Sequence, residues 1–324
     1  METRSLKSLS LTLGAGLCLG TGFGPGWLPV HGSGKVKSPP PRMVTFPGSR
    51  TYGELDTAVC TADQPFSGAF RFANAMGTVA APPDKFLLLK ADYDLIVHPE
   101  RLKQLKPNAI DGITFNFLEA TDDTVKELPQ LSSLRLVCLR GTEVTDKCIP
   151  YLVKLPRLEA LDLSQSNLQG IGLGALSALK HLNALNLSDS VLAAAAYTEL
   201  EKLPITDLRL IRTRLTDDGV RQAVKIAHLQ KLSLATNAKL TKSTLQYLRN
   251  KPGLIFVDLM ECPFKAEDLL LLKGSSIKTI WFDKPKYSLT AINAVQEQMP
   301  GISIQLYEPE SRNMDKLDML KPLH

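Results

Sequence analysis

A period of about two dozen residues limits what this chain can fold into more than any other feature. The pattern apolar-x-x-apolar-x-apolar starts at Phe86, Ile110, Leu134, Leu158, Leu182, Ile205, Leu229, Leu254 and Ile277, in steps of 24, 24, 24, 24, 23, 24, 25 and 23 residues. The Phe86 copy is the loosest, closing on Ala91, and a partial copy ends the series at Ile304 and Leu306. A unit of this length forms one supersecondary element and cannot bury its own apolar face, so it becomes stable only by stacking on its neighbours.

Within each unit two periodicities follow one another. Leu158, Leu161 and Leu163, or Leu229, Leu232 and Leu234, have the spacing of a short strand, whereas Ile149, Leu152 and Leu155, or Leu289, Ile292 and Val295, have helical spacing. Between the two lies a small polar residue, three positions after the last strand apolar: Thr142, Ser166, Ser190, Thr213, Asn237 and then Cys262. Buried there, it is expected to satisfy loop N–H and C=O groups that no strand ladder reaches. Thr145 and Asp146, Thr216 to Asp218, Ser243, Glu267 and Asp268 stand where helices begin, and they suit the orphan N–H groups of a helix N-terminus. Pro129, Pro156, Pro204 and Pro252 close several helices before the next strand.

Gly141, Thr142, Val144, Thr145 and Asp146 read G-T-x-V-T-D, and Thr213, Leu215, Thr216 and Asp217 match that motif in part. On these residues the chain resembles the leucine-rich-repeat family, in its bacterial G-T-x-V-T-D subclass, over residues 86 to 306. The resemblance implies an α/β leucine-rich-repeat solenoid, a curved parallel sheet with helices on the convex side. It also implies a binding role without naming a ligand. The expected organisation is a signal peptide and Gly-rich segment over 1–34, a linker and N-terminal cap over 35–85, repeats over 86–307, and a C-terminal tail over 308–324.

Arg4 and Lys7 precede an apolar, uncharged stretch from Leu9 to Phe23, the layout of a secretory signal peptide. Residues 20 to 34 offer several small-residue cleavage sites but no A-x-A pattern. Their glycines and prolines interrupt the span before the roughly 20 apolar residues a bilayer requires. Export follows as the expectation: periplasmic, extracellular, or membrane-anchored if the segment is retained. Cys18 follows Leu17, where a lipoprotein signal wants a small residue. At the other end, Leu317, Met319 and Leu320 either fold back as a second cap or belong to a loose tail.

Catalytic patterns are missing. The sequence has no G-x-S-x-G, no H-E-x-x-H, no kinase signature, and no G-x-G-x-x-G between a strand and a helix. Its five cysteines form no C-x-x-C pair. His181 and His228 precede strands two repeats apart, about 10 Å at about 4.8 Å per strand, too far for one metal ion. The 38 Lys and Arg are scattered among 33 Asp and Glu, and the net charge of +5 draws no nucleic-acid footprint. The expectation is therefore no catalytic residue, no cofactor, no metal and no nucleic acid, with a protein or peptide as partner. The competing reading is a cytosolic adaptor resembling ubiquitin-ligase substrate receptors. That would need an F-box-like helical segment ahead of the repeats, which residues 42–85 do not show.

Strand positions between the core apolar residues face the open side of the sheet. In the first half these are Thr114, Cys138, Asp162, Asn186, Ser164 and Ser188, small or polar apart from Leu136 and Arg140. The second half carries Arg209, Ile211, Lys231, Phe256, Met260 and Trp281, residue types that concentrate at binding hot spots. These six form the expected partner-binding patch. The competing arrangement packs Phe256, Met260 and Trp281 beneath the C-terminal tail.

Overall fold

A three-residue strand has too few ladder bonds to persist alone, and here such strands are aligned edge to edge. The computed structural model describes residues 40–59, 67–284 and 289–308. The expected signal segment, Cys18, Cys60 and the C-terminal tail beyond residue 308 lie outside those residues. A parallel ladder runs in chain order through β5 (Phe86–Ala91), β6 (Gly112–Thr114), β7 (Leu136–Cys138), β8 (Ala160–Asp162) and β9 (Ala184–Asn186). It continues through β10 (Asp207–Arg209), β11 (Lys231–Ser233), β12 (Phe256–Asp258), β13 (Thr279–Asp283) and β14 (Ser303–Tyr307). Ahead of it, β1 (Arg42–Phe46) pairs antiparallel with β4 (Gly77–Ala81). β2 (Gly53–Val59) and β3 (Ser67–Asn74) join antiparallel to the free edge of β5, making a sheet of 12 strands.

Val137, Leu161, Leu185, Leu208, Leu232 and Val257 occupy the same register position and are wholly buried in one continuous apolar core. The other wall of that core is helical: α1 (Tyr93–Val97), α2 (Asp122–Val125), α3 (Ile149–Leu152), α4 (Ala194–Glu199), α5 (Asp217–Ala223), α6 (Lys242–Arg249) and α7 (Thr290–Gln298). Single 3₁₀ segments replace an α-helix at Leu173–Ala178 and Ala266–Leu272. Helices this short are marginal alone, so packing on the sheet holds them. In α7 the buried stripe is Ile292 and Val295, whereas Leu289 stands before the helix and is exposed, one place where the helical spacing ran past the element.

The small polar residues after each strand do what their position implied. Thr142, Ser166 and Thr213 donate through their hydroxyls to the carbonyls of Leu139 (2.6 Å), Leu163 (2.7 Å) and Leu210 (3.0 Å). Asn237 does more, because its amide has both donors and an acceptor. Its Nδ2 donates to the carbonyls of Leu210 (2.8 Å) and Leu234 (2.7 Å), while its Oδ1 accepts from the amides of Thr213 (3.1 Å) and Leu215 (2.9 Å). Cys262 gives the weaker thiol version, with Sγ 3.4 Å from the Leu234 carbonyl.

The turn preceding each of these residues is closed by a left-handed residue. Phe117, Gly141, Gln165, Asp189, Arg212, Thr236 and Glu261 share φ values from 53° to 66°. Their amides donate to the next unit: Phe117 to Arg140 (2.8 Å), Gln165 to Ser188 (2.8 Å), Asp189 to Ile211 (2.8 Å) and Thr236 to Met260 (2.8 Å). Only one of the seven is glycine, although this conformation costs other residues roughly 1–2 kcal/mol. A Cβ on Gly141 would stand 2.6 Å from the Phe117 ring, so that neighbour, not backbone freedom alone, accounts for the glycine.

Acidic residues at helix starts bond to the following unit as well. Asp122 accepts from the amide (2.9 Å) and hydroxyl (2.6 Å) of Thr145, and Asp146 accepts from the Gly170 amide (2.8 Å). Asp217 accepts from Thr241 (2.9 Å from its amide) and from the Thr244 hydroxyl (2.6 Å). The motif's Asp is therefore chiefly a link between units.

Phe86 corrects the sequence reading of the first repeat. Its register partner line puts Leu87 and Leu89 in the core, and Phe86 turns to the opposite face with Leu88. The regular strand β5 starts at Phe86, whereas later units are still turning at this point. Before β5, Tyr52 is wholly buried, with the Arg101 guanidinium 4.1 Å from its ring centroid, and Asp94 pairs with both Arg101 and Arg50 (2.8 Å to the latter).

Two outcomes follow. Asn237→Ala should cost about 3 kcal/mol in denaturant unfolding, since buried backbone groups lose partners in two units, while Ser166→Ala should cost about 1 kcal/mol. Burial pushes the Asp217 carboxyl up, but hydrogen bonds from Thr241 and Thr244 outweigh it and hold the group below its ordinary 3.8. A folded pKa below the unfolded one gives a contribution present at neutral pH and lost as pH falls through the carboxylate range. Asp217→Asn should therefore lower the unfolding midpoint at pH 7, with the gap to the parent closing below about pH 4.

Candidate functional site

Because helices cover one face of the ladder, the other face is where a partner can meet strand side chains. The register sorts that face into three rows. The first is Leu88, Gly112, Leu136, Ala160, Ala184, Asp207, Lys231, Phe256 and Thr279. The second is Lys90, Thr114, Cys138, Asp162, Asn186, Arg209, Ser233, Asp258, Trp281 and Gln305. The third follows two residues later and includes Arg140, Ser164, Ser188, Ile211, Ala235, Met260 and Tyr307.

The start of this face is an apolar plug, where the sequence reading expected small or polar residues apart from Leu136. Phe86, Leu88, Leu136, Cys138, Ala160 and Ala58 are buried against one another. Gly112 makes room for it, since a Cβ there would sit 2.8 Å from the Phe86 ring. Leu136 and Cys138 were visible in the sequence, but their cover was not, because Phe86 had been assigned to the core.

In the middle the face is polar and internally bonded. Asp162 accepts from the Ser164 amide (2.8 Å) and hydroxyl (2.6 Å) and from Asn186 Nδ2 (3.1 Å). Asn186 in turn accepts from the Ser188 amide at 3.0 Å. Asp162 and Asn186 are both buried. These groups are committed to holding the strands.

All six residues of the expected patch lie on this face, from the third row of the β10 unit to β13. Arg209 stands between Asn186 and Ser233, with its side chain 12% exposed and Asp207 Oδ1 3.8 Å away. Lys231 is half-buried, next to Asp207 and Phe256. The apolar members are not offered to solvent as expected: Phe256 and Met260 are each 3% exposed and Ile211 8%. Ile211, Ala235 and Met260 form a small cluster against which Trp281 and Tyr307 pack. Phe256 meets Trp281 edge to face at 5.0 Å, and Trp281 meets Tyr307 at 4.9 Å. Trp281 Nε1 donates to Gln305 Oε1 at 3.0 Å. Large neighbours on adjacent strands, about 4.8 Å apart, consume one another's surface. Their described cover is the last strand, β14; the tail that the competing arrangement invoked lies outside the described residues.

Along the C-terminal edge of the strands the left-handed residues point a second set of side chains outward. Arg140, Gln165, Asp189 and Arg212 line an open depression of about 320 Å³. Arg212 Nε lies 3.2 Å from Asp189, and the Arg140 guanidinium lies 5.0 Å from the Phe117 ring centroid. Arg140 belongs to the third row, whereas Gln165, Asp189 and Arg212 are left-handed residues one position further on, which sequence reasoning missed because they share a backbone conformation and no side-chain chemistry.

His181 and His228 are exposed. Among the described residues no three His, Cys, Asp or Glu side chains gather as a metal site, and no helix is long and apolar enough to cross a membrane. Cys138, Cys148 and Cys262 are buried.

The ladder, the helical wall and the polar turn residues make this an α/β leucine-rich-repeat solenoid, with an open face that is polar between two apolar ends. No protein-family model matches the sequence, and no curated protein matches it closely enough to count as a relative. Solved structures overlap it in part. Internalin C2 from Listeria monocytogenes is 21% identical with a TM-score of 0.41, over 58% of this chain and 85% of that one. The Toll–Spatzle complex, from Drosophila, gives 14% and 0.42 over 53% of this chain and 23% of that one. The TLR13–ssRNA13 complex gives 15% and 0.44 over 68% of this chain and 32% of that one. The chain thus spans a third or less of the latter two.

Burial pushes the Cys148 thiol up to about 12, with Asp122 and Asp146 adding to the shift, and burial likewise raises that of Cys138. Neither should react with iodoacetamide at pH 8 in the folded protein, and both should react once denaturant is added; the count of labelled cysteines by mass spectrometry checks this.

Proposed function

We propose that this chain is a non-catalytic binding scaffold that recognises a protein or peptide partner through the open, concave face of its solenoid, outside the cytoplasm. The reading places it with leucine-rich-repeat proteins of the bacterial G-T-x-V-T-D kind. It takes residues 1–34 as the export segment, 35–85 as linker and cap, 86–307 as repeats, and 308–324 as tail. The observation that carries it is the alignment of Arg209, Ile211, Lys231, Phe256, Met260 and Trp281 on one face of an uninterrupted ladder. Within this patch Phe256, Met260 and Ile211 supply a fixed floor, Lys231 and Trp281 keep part of their surface in reach, and Arg209 lies mostly buried beside Asp207. A rigid floor lowers the entropy lost when a partner docks.

The test is affinity capture with the folded chain as bait, then quantified binding of the retained partner. Lys231→Ala should weaken capture several-fold at an unchanged thermal midpoint, and adding Arg209→Ala should weaken it to at least about tenfold while lowering the midpoint slightly, because Arg209 is mostly buried. Phe256→Ala or Trp281→Ala should lower the midpoint as well, because these rings hold adjacent strands. Undiminished capture by the Arg209, Lys231 double variant would remove the patch from the account.

A further inference from the structure

We infer that the depression lined by Arg140, Gln165, Asp189 and Arg212 is a second docking site, for an extended acidic peptide segment carrying two carboxylates about four residues apart. The inference deepens the reading of the chain as a peptide-binding scaffold and rests on it, but it uses different residues.

The Arg140 guanidinium carries the argument. It belongs to the third row of the open face, beyond β7, and among the described residues no carboxylate or carbonyl accepts from its guanidinium N–H groups. Its guanidinium lies over the face of Phe117, a contact that orients the group without using its fork of donors. A planar, preoriented guanidinium with open donors is a carboxylate receptor. Arg212 supplies a second cation at the other end, half-committed through Nε to Asp189 and 58% exposed.

Spacing sets the ligand's form. Arg140 follows β7 and Arg212 follows β10, three strands on, or about 14 Å at about 4.8 Å per strand. An extended peptide covers that span in about four residues, and side chains four apart in an extended chain fall on the same side. Gln165 and Asp189 lie between the two arginines and offer acceptors for peptide N–H groups. Asp189 also selects against a dianionic phosphate, whose charge it repels more strongly than that of a single carboxylate.

The row is held rigidly. Gln165, Asp189 and Arg212 share the left-handed conformation, and their amides are tied to the next strand at 2.8, 2.8 and 3.0 Å. Their side chains leave a fixed rail, so little backbone ordering accompanies binding.

The probe is a short fluorescein-labelled serine peptide with two glutamates four residues apart, followed by fluorescence anisotropy at low salt against the full folded chain. Saturable binding is expected, weakened about tenfold by Arg140→Gln and somewhat less by Arg212→Gln, whose cation is already shared with Asp189. Arg140→Lys, which keeps the charge over Phe117 and loses the fork, should fall in between and guards against loss of folding in the Gln variant. A control peptide with one glutamate should bind more weakly. Equal binding of the parent and the Arg140, Arg212 double variant would overturn the proposal, as would displacement of the peptide by equimolar inorganic phosphate. If Arg209→Ala and Lys231→Ala abolish peptide binding while the Arg140 and Arg212 variants do not, the depression is not the site and the open-face reading stands. If capture of a natural partner is unchanged by the patch variants but the labelled peptide responds to the Arg140 and Arg212 variants, the reverse holds.

Discussion

Every unit of this protein leaves backbone groups at the turn after its strand that it cannot satisfy itself, and the next unit satisfies them. The amides of Phe117, Gln165, Asp189, Arg212 and Thr236 all donate forward, into carbonyls of the following strand region. Buried peptide groups left unpaired cost on the order of 1–3 kcal/mol each, so a unit separated from its successor loses hydrogen bonds as well as apolar contact. Residues that tolerate left-handed φ poorly are held there because this closure is worth more than the local strain. Asn237 binds groups of two units at once, and Asp122, Asp146 and Asp217 repeat the logic on the helix side. Both margins of the ladder are therefore sewn across the unit boundaries.

That sewing determines what the open face can do. Strand side chains on it cannot move apart, so large neighbours bury each other and small polar ones bond each other. Phe86, Leu88 and Leu136 close one end, Phe256, Met260 and Trp281 the other, and Asp162 with Asn186 spans the interval. What remains for recognition is charged and aromatic rim on a rigid floor, a surface suited to reading another molecule's shape and charge.

The architecture was legible in the sequence because burial imposes period. Val137, Leu161, Leu185 and Leu208 must be apolar whatever else the chain does, and Thr142, Thr213 and Asn237 must carry a hydrogen-bonding group. Phe86 was misread because an apolar residue fits the core pattern equally well from either face of a strand, and the pattern is weakest in a unit whose strand starts early. The six patch residues were placed on the right face, yet their mutual burial depends on rotamers across adjacent strands, which spacing along one chain does not encode. The row of Gln165, Asp189 and Arg212 left no signal, since a shared left-handed turn imposes no shared side chain when hydrogen bonds enforce it. The aspartates were legible as helix-start residues, but the partner 24 residues onward that each one holds was not.

Residue-resolved amide hydrogen exchange in the native protein tests the central claim most directly. The amides of Phe117, Gln165, Asp189, Arg212 and Thr236 belong to turn residues, several with exposed side chains, and would ordinarily exchange fast. Forward closure predicts that they exchange as slowly as the core amides of Leu139, Leu163 and Leu210, at rates set by opening of adjoining units together. Exchange at the rate of free loops, with the strand amides still protected, would contradict the account and leave the units held by apolar contact alone.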